Sequence, residues 1–228
     1  IDELRVEFAT GKGATRAVDG LSLTVRPGRT LGLIGESGCG KSATALSAMG
    51  LLPSSARTAG AIRFRGSNLL NLAEPQMRKI RGARIAMVFQ DATTALNPVM
   101  TIGAQVAEVM RIHGGSRSEA TERAVELLRL LEIPEPARRV HEYPHQLSGG
   151  MRQRVMIAMA LACNPDVLIA DEPTSALDVV TQAQLIDQVR KLQHRFGMGI
   201  LLITHDFDVL GRGCDRVVVM YAGRKVEE

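Results

Sequence analysis

The stretch Gly35-Glu36-Ser37-Gly38-Cys39-Gly40-Lys41-Ser42, here called the phosphate loop, directly follows the apolar run Thr30-Leu31-Gly32-Leu33-Ile34. It fits the pattern G-x-x-x-x-G-K-[S/T], in which a glycine-rich turn between a buried strand and a helix wraps phosphate groups. The glycines let several backbone N–H groups point inward at the helix start, where the macrodipole favours negative charge. Lys41 is expected to hold the outer phosphates of a triphosphate, and the Ser42 hydroxyl is expected to bind Mg²⁺. The stretch predicts an α/β fold with a nucleotide site at a strand end.

Composition limits the other possibilities. With 228 residues, 45% of them hydrophobic, the chain can bury a core as one domain with a subdomain. The net charge is only +4, Trp is absent, and there are two Tyr and five Phe. Because nucleic-acid binders usually carry concentrated basic patches and stacking aromatics, no nucleic-acid partner is expected.

Two further features concern the cellular environment. The longest apolar run, Val155–Cys163, has nine residues, far fewer than the roughly 20 that a helix needs to cross a bilayer. Cys39, Cys163 and Cys214 do not have the spacing of a disulfide framework or a metal site, which indicates a reducing compartment. We also expect the chain to be a segment of a longer protein.

Continuous apolar runs predict parallel strands that are covered on both faces. They are Leu31–Ile34, Ile85–Phe89, Val167–Ala170, Ile200–Thr204 and Val217–Tyr221. Helical stretches separate them, which favours a doubly wound core. Leu4–Phe8 and Leu21–Val25 instead alternate between apolar and polar residues, so we expect them in an N-terminal antiparallel layer.

The region from about 91 to 163 has a helical pattern. Ser116 followed by Glu119 predicts a capping box at a helix start. The apolar residues after it fall on one helix face and are Ala120, Ala124, Leu127, Leu128 and Leu131. We expect a helical subdomain at about 91–163, inserted into a core formed by about 1–90 and 164–228.

Asp171 and Glu172 follow the apolar run that ends at Ala170. Open α/β sheets bind ligands at the carboxyl ends of their strands. Asp171 is expected to hold Mg²⁺, and Glu172 is expected to polarise the water that attacks the γ-phosphate. Adjacent acids on an extended chain point in different directions, which suits two roles.

Two more polar residues follow predicted strands. His205 comes after 199–204 and could hydrogen-bond the γ-phosphate and so sense its presence. Gln90 comes after 84–89 and presents an amide that could contact both Mg²⁺ and the attacking water. Because an amide is a poor base, positioning and signalling are its expected roles.

The stretch Leu147-Ser148-Gly149-Gly150-Met151-Arg152-Gln153-Arg154 predicts a second anion site. Ser148 and the two glycines open a helix, which provides a hydroxyl and free N–H groups. The expected apolar face of this helix contains Met151, Val155, Ala158, Met159 and Ala162.

With these motifs in this order, the whole chain resembles the ATP-binding cassette (ABC) family. The resemblance implies a P-loop (RecA-like) core with a mostly parallel sheet, an N-terminal antiparallel β layer and an inserted helical subdomain. It implies that Gly35–Ser42 is the Walker A loop, Gln90 the Q-loop, and Leu147–Gln153 the signature motif. Asp171 and Glu172 resemble the Walker B aspartate and catalytic glutamate, Ser175–Asp178 the D-loop, and His205 the switch histidine.

In that family, two cassettes face each other head to tail. The resemblance therefore implies that Ser148, Gly149, Gly150 and Gln153 contact ATP held by another subunit, which is identical or related. It also implies ATP and Mg²⁺ as cofactors, with Ser42, Gln90 and Asp171 around the metal, and Asp178 as the D-loop carboxylate.

Within the family, the chain is similar to ATPases of dipeptide and oligopeptide importers. The stretches that carry this likeness are Phe89–Asp91, Thr94–Pro98, Tyr143–Leu147, Ala170–Val179 and Met220–Gly223. The likeness implies two transmembrane permeases, an extracytoplasmic solute-binding protein, and a peripheral location at the cytoplasmic face of the inner or plasma membrane.

Three alternatives stay open at this point. A nickel-importing branch is similar, and a soluble ABC ATPase acting on DNA or ribosomes is a second possibility. A regulatory cassette that binds ATP without hydrolysing it is disfavoured by Glu172 and His205. The family's adenine-stacking aromatic is not found within Lys12–Arg16, and Phe8 comes too early for it.

Overall fold

A computed structural model describes residues 1–11, 13–90, 95–175 and 177–228 of the chain. Its elements are β1 (Asp2–Thr10), β2 (Gly13–Leu21), β3 (Thr30–Gly35), α1 (Lys41–Met49), β4 (Ala56–Ala61), β5 (Arg63–Phe64), β6 (Ser67–Asn68), α2 (Glu74–Ile80), β7 (Ile85–Val88), α3 (Ile102–Ile112), α4 (Arg117–Leu130), α5 (Pro136–Arg139), α6 (Gly149–Leu161), β8 (Val167–Asp171), α7 (Val179–Phe196), β9 (Gly199–Ile203), α8 (Phe207–Gly213), β10 (Arg216–Tyr221) and β11 (Arg224–Glu227). Short 3₁₀ helices lie at Leu69–Asn71 and Pro144–Gln146.

The main sheet has the strand order β11-β10-β3-β9-β8-β7. The strands from β10 to β7 run parallel, and β11 returns antiparallel to β10. On β9, Ile200 and Leu202 pack into one apolar core, whereas Leu201 and Ile203 pack into the other. Both faces of the sheet are therefore covered, which is why its strands are continuously apolar. The prediction of an α/β core with a mostly parallel sheet is confirmed.

The N-terminal layer has the order β2-β1-β4 and is antiparallel, as predicted. The predicted strand at 21–25 is wrong, because β2 ends at Leu21. The Ser22 hydroxyl accepts the Glu3 N–H at 2.9 Å, so a side chain replaces a ladder carbonyl. Leu23 remains paired with Ile1 through backbone hydrogen bonds of 2.9 and 3.1 Å. Its side chain is buried as the alternation indicates.

The capping box of α4 is confirmed. The Ser116 hydroxyl accepts the Glu119 N–H at 3.3 Å, and the Glu119 carboxylate accepts the Ser116 N–H at 3.1 Å. The five apolar residues predicted on one face of this helix are all buried. The described helices α3, α4 and α6 pack on one another, and α6 also packs on β7.

The predicted apolar face of α6 packs into the core, with Val155, Ala158 and Ala162 buried and Met151 and Met159 partly buried against it. Met156, Ile157 and Leu161 are buried as well, because α6 lies between the other helices and the main sheet. The division of the chain at 91 and 163 stays a prediction, and residues 91–94 lie outside the described part. In that described part, we find no helix with the length and apolar character that a bilayer crossing requires.

Candidate functional site

The phosphate loop joins the end of β3 to the start of α1. Gly40 is the N-cap of α1, with φ +106°, and no side chain in the described part of the chain caps the helix start. A residue with a Cβ adopts this backbone conformation only with strain. The first amides of α1 therefore stay available at the positive end of the helix dipole, which suits an anion.

Lys41 is folded into the loop. Its side chain is buried, and its ammonium group donates hydrogen bonds to the carbonyls of Gly35 at 2.7 Å and Glu36 at 2.8 Å. These bonds hold the loop in a curled conformation around the charge. A buried ammonium next to free helix amides is a site for negatively charged oxygens.

Segments that are distant in the sequence enclose the phosphate loop. A Cβ built on Gly35 would lie 2.3 Å from the Met220 carbonyl oxygen, and one on Gly40 would lie 2.2 Å from the Ala17 carbonyl oxygen. The backbone of Gly223 also donates to the Cys39 carbonyl at 3.1 Å. The loop is thus fixed by β2 and by the turn after β10.

Asp171 ends β8 with its side chain buried. Burial raises its carboxyl pKa, the Ser42 hydroxyl opposes this by hydrogen bonding, the Glu172 charge raises it further, and the Lys41 charge lowers it. One hydroxyl and one carboxylate form the limited protein ligand set that Mg²⁺ uses when phosphates and water supply its other ligands. Residues 1–11, 13–90, 95–175 and 177–228 contain no group of three or more His, Cys, Asp or Glu side chains that could hold a metal without such help.

Glu172 lies next to Asp171 but faces other partners. Its backbone has φ +48°, and its N–H donates to the Ile203 carbonyl at 2.9 Å. Its carboxylate accepts a hydrogen bond from the Gln90 amide at 2.9 Å, and the other oxygen lies 3.2 Å from His205 Nδ1. The structure therefore brings together the three residues predicted to be catalytic, each from the end of a different strand.

The start of α6 is built differently. The Ser148 hydroxyl is the N-cap and accepts the Met151 N–H at 3.3 Å. Ser148 and Gly149 are exposed, and a Cβ on Gly149 would meet no atom of the described residues within 4 Å. Among the described residues, Ser148 makes no hydrogen bond to the phosphate loop or to Glu172. The geometry leaves this helix start open to a second molecule.

A comparison with protein families identifies this arrangement. The model of the family described as ABC transporter matches residues 18–175, a stretch that includes Lys41, Ser148 and Glu172. The chain belongs to the ABC transporter family. The match confirms the resemblance to the ABC family. ATP is the nucleotide of an ABC ATPase.

Curated relatives of this cassette are named as peptide transport proteins. A Sinorhizobium fredii protein named "Probable peptide ABC transporter ATP-binding protein" is 54% identical over all of this chain and 69% of its own length. The oligopeptide transport ATP-binding protein OppD of Salmonella typhimurium is 50% identical over all of this chain and 68% of its own length.

A solved structure supports the fold. The dimeric post-hydrolysis structure of the ATP-binding cassette MJ0796 bound to ADP and Pi superposes with a TM-score of 0.85 at 29% identity. The match covers 99% of this chain and 95% of that one. The α/β core of the cassette is thus that of an ABC ATPase.

Gln153 lies apart from the exposed start of α6. Its side chain is buried within α6 packing, and its contact with ATP in an opposite subunit stays a prediction. Its amide nitrogen has no hydrogen-bond partner among the described residues. Seven of the residues of α6 from Gln153 to Leu161 are buried, whereas Ser148 and Gly149 at the start of the helix are exposed.

Asp178 of the predicted D-loop is the N-cap of α7. Its carboxylate accepts the N–H groups of Val180 at 3.1 Å and Thr181 at 3.0 Å and the Thr181 hydroxyl at 2.7 Å. Ala176, in the middle of the D-loop, lies outside the described residues, as do Lys12 and 91–94. Phe8 packs partly buried against the core below the N-terminal layer.

The residues that enclose the phosphate loop could not be predicted from local sequence patterns. The N–H of Asp19 donates to the Gly223 carbonyl at 2.8 Å, so the turn after β10 links β2 to the loop. Gly223 after an apolar strand is a turn signal. Nothing local shows that this turn lies against residues almost 200 positions earlier.

Proposed function

We propose that this cassette is the ATP-hydrolysing subunit of a bacterial importer that takes up di- or oligopeptides through partner permeases. The observation that carries the proposal is the Glu172 carboxylate, held by Gln90 at 2.9 Å and His205 at 3.2 Å. A carboxylate fixed beside a phosphate loop is placed to take a proton from water.

Each residue has a distinct role in hydrolysis. Glu172 orients the attacking water and accepts its proton as the water attacks the terminal phosphoryl group. Gln90 fixes one carboxylate oxygen, and His205 fixes the other and hydrogen-bonds the γ-phosphate. Lys41 and the amides of α1 stabilise the phosphate charge, since phosphoryl transfer depends mainly on positioning and electrostatics.

Mg²⁺ would be held by the Ser42 hydroxyl and by Asp171, with Gln90 as a further contact. When bound, the ion neutralises negative charge on the phosphates. The buried Asp171 carboxylate fits this role because its burial disfavours ionisation in the absence of a cation.

The open start of α6 is the second half of the site. We assign Ser148, Gly149 and Gly150 to contact with ATP on the phosphate loop of a second cassette, and Asp178 to the D-loop at the same contact. Closure then depends on bound nucleotide, so ATP draws two subunits together and hydrolysis releases them. We also propose that the helical subdomain at about 91–163 carries this half of the site.

Peptide uptake is supported by the names of the relatives and by the importer-like sequence around Gln90 and Tyr143. The complex would contain a second ABC ATPase, identical or related, two transmembrane permeases and an extracytoplasmic solute-binding protein. The cassette would lie at the cytoplasmic face of the membrane as a peripheral subunit.

An ATP-dependent dimer tests the two-subunit site. In a Glu172→Gln background, which retains bound ATP, sedimentation should show a dimer only with MgATP. Adding Ser148→Arg should abolish this dimer, because a bulky cation would meet the partner's bound nucleotide. The matched change Ser116→Arg, at the N-cap of α4, should leave it intact. A dimer that survives Ser148→Arg would contradict the assignment.

The transport role needs a separate test. The complex purified from membranes with its partners and reconstituted in vesicles should hydrolyse ATP faster when di- or oligopeptides and the solute-binding protein are added. Stimulation by Ni²⁺ alone would indicate nickel import, and recovery with ribosomes or DNA in place of membrane proteins would overturn the proposal.

A further inference from the structure

A polar network connects α6 to α7 away from the ATP site. The Arg154 guanidinium, on α6, donates from one nitrogen to the Gln188 amide oxygen and to the Leu131 carbonyl, both at 2.5 Å. The Gln188 amide nitrogen in turn donates to the Glu132 carboxylate. One amide on α7 therefore lies between a cation and an anion of the helical region.

The direction of this network is fixed by chemistry. The Gln188 oxygen can only accept and its nitrogen can only donate, so exchanging the two atoms would break both bonds. Gln188 is buried, with 3% of its surface exposed. A buried amide that loses its charged partners carries the full cost of desolvation, so the network resists relative sliding of the two helices.

Both helices begin at the proposed site. Ser148 is the N-cap of α6, six residues before Arg154, and Asp178 is the N-cap of α7. The two starts lie close together, because a Cβ on Gly150 would lie 3.3 Å from the Thr181 methyl group. The helices therefore approach each other at their first turns, and they are joined by hydrogen bonding at Arg154 and Gln188.

A second buried glutamine on α7 offers a comparison. Gln193 has 1% of its surface exposed, and its amide donates to the Thr30 hydroxyl at 2.8 Å. Thr30 belongs to β3, so Gln193 attaches α7 to the sheet. Gln188 attaches the same helix to α6 and to the turn after α4.

We propose that Arg154 and Gln188 are positioning residues that hold the Ser148 helix start in register with the Asp178 helix, so that both meet a second cassette together. This inference rests on the proposed two-subunit site. Its consequence is that losing the Gln188 amide weakens ATP-dependent pairing of cassettes while ATP binding to one subunit is retained.

The test compares Gln188→Met with Gln193→Met, each in the Glu172→Gln background. Sedimentation over a range of protein concentrations with MgATP gives the dimer dissociation constant. We expect Gln188→Met to weaken the dimer on the order of tenfold, as for coupled buried contacts, and Gln193→Met to leave it unchanged. Binding of a fluorescent ATP analogue to dilute monomer should be equal in both, and thermal unfolding reports any general loss of stability.

A charge exchange separates the network from simple packing. Gln188→Glu alone places a second carboxylate beside Glu132 and should weaken the dimer. Adding Glu132→Gln restores one carboxylate, one amide and the Arg154 cation, and should restore pairing. Gln188→Glu and its combination with Glu132→Gln also test the network if Gln188→Met fails to fold.

The outcomes distinguish the two claims. If Glu172→Gln gives no ATP-dependent dimer, the two-subunit site and this inference both fail. If it dimerises but Gln188→Met matches Gln193→Met, or the exchange does not restore pairing, only the positioning role is overturned. In the protein with Glu172 intact, Gln188→Met should raise the protein concentration at which ATP turnover is half-maximal. It should leave kcat at saturating protein concentration unchanged.

Discussion

The phosphate loop and the start of α6 are both glycine-rich helix starts, but the chain treats them in opposite ways. In the phosphate loop, Lys41 donates hydrogen bonds to carbonyls of the loop itself. The backbones of Ala17 and Met220 lie directly against the loop. At α6, Ser148 is exposed and Gly149 has open space beside it. Both can bind an anion, yet only the first is enclosed by its own subunit.

The two helix starts therefore suit different roles in binding nucleotide. A loop that its own subunit already holds in one conformation needs little further ordering to bind nucleotide. An open helix start gains its remaining contacts only when another surface arrives, so it can respond to nucleotide.

The largest effect is expected at Glu172. Glu172→Gln keeps the size of the side chain but removes its ability to accept a proton, so kcat at saturating MgATP should fall by about 10²–10⁴-fold. Steady-state phosphate release measures it. The control is Glu36→Gln, an exposed acid within the phosphate loop, which should stay close to the wild-type rate. Wild-type hydrolysis by the Glu172 variant would remove it from catalysis.

The second prediction compares the glycines of the two helix starts. Gly40→Ala forces a Cβ to within 2.2 Å of the Ala17 carbonyl at a backbone φ of +106°, and should cost about 1–3 kcal/mol of unfolding free energy. A Cβ at Gly149 would meet no described atom within 4 Å, so Gly149→Ala should not lower stability, because alanine favours helices more than glycine does. Chemical denaturation measures both.

If Gly149→Ala destabilised the protein as much as Gly40→Ala, the start of α6 would be enclosed like the phosphate loop. The comparison would then lose its basis. If Gly149→Ala does not lower stability, any effect of this variant on the ATP-dependent dimer reports on the helix start itself.

Local signals made part of this architecture predictable. Ser116 and Glu119 are three residues apart, and the box they form is the one observed. Contacts between distant residues were not predictable, because no local pattern places Met220 against the phosphate loop. The burial of Gln153 was not predictable for a related reason, since it depends on helices that pack on α6 from other parts of the chain.

The third prediction uses the pKa of the buried acid. Burial raises the pKa of Asp171, so the neutral carboxyl is the form that folding favours. Its contribution to stability is present below the unfolded pKa near 4 and is lost as pH rises through the folded pKa. Nucleotide-free Asp171→Asn should therefore be more stable than wild type at pH 7, and this advantage should vanish at pH values below 4.

Asp178→Asn is the control with the opposite sign. Hydrogen bonds from Thr181 lower the pKa of Asp178, so its contribution to stability is present above the unfolded pKa and is lost as pH falls. This variant should be less stable than wild type at pH 7. Thermal unfolding between pH 3 and pH 8 measures both, and parallel pH curves for the two variants would contradict the assigned environments.

The smallest effect is expected at the two helix caps. Ser148→Ala and Ser116→Ala each remove one capping hydroxyl, with hydrogen bonds of 3.3 Å in both cases, and each should cost about 1 kcal/mol of unfolding free energy. Only Ser148→Ala should also weaken the ATP-dependent dimer, because its hydroxyl has a second use at the open helix start. Equal stability losses with unequal dimer affinities would separate the two uses of the same chemical group. If both variants dimerised as wild type does, Ser148 would be an ordinary cap, and the open helix start would have to bind the partner's nucleotide through its backbone alone.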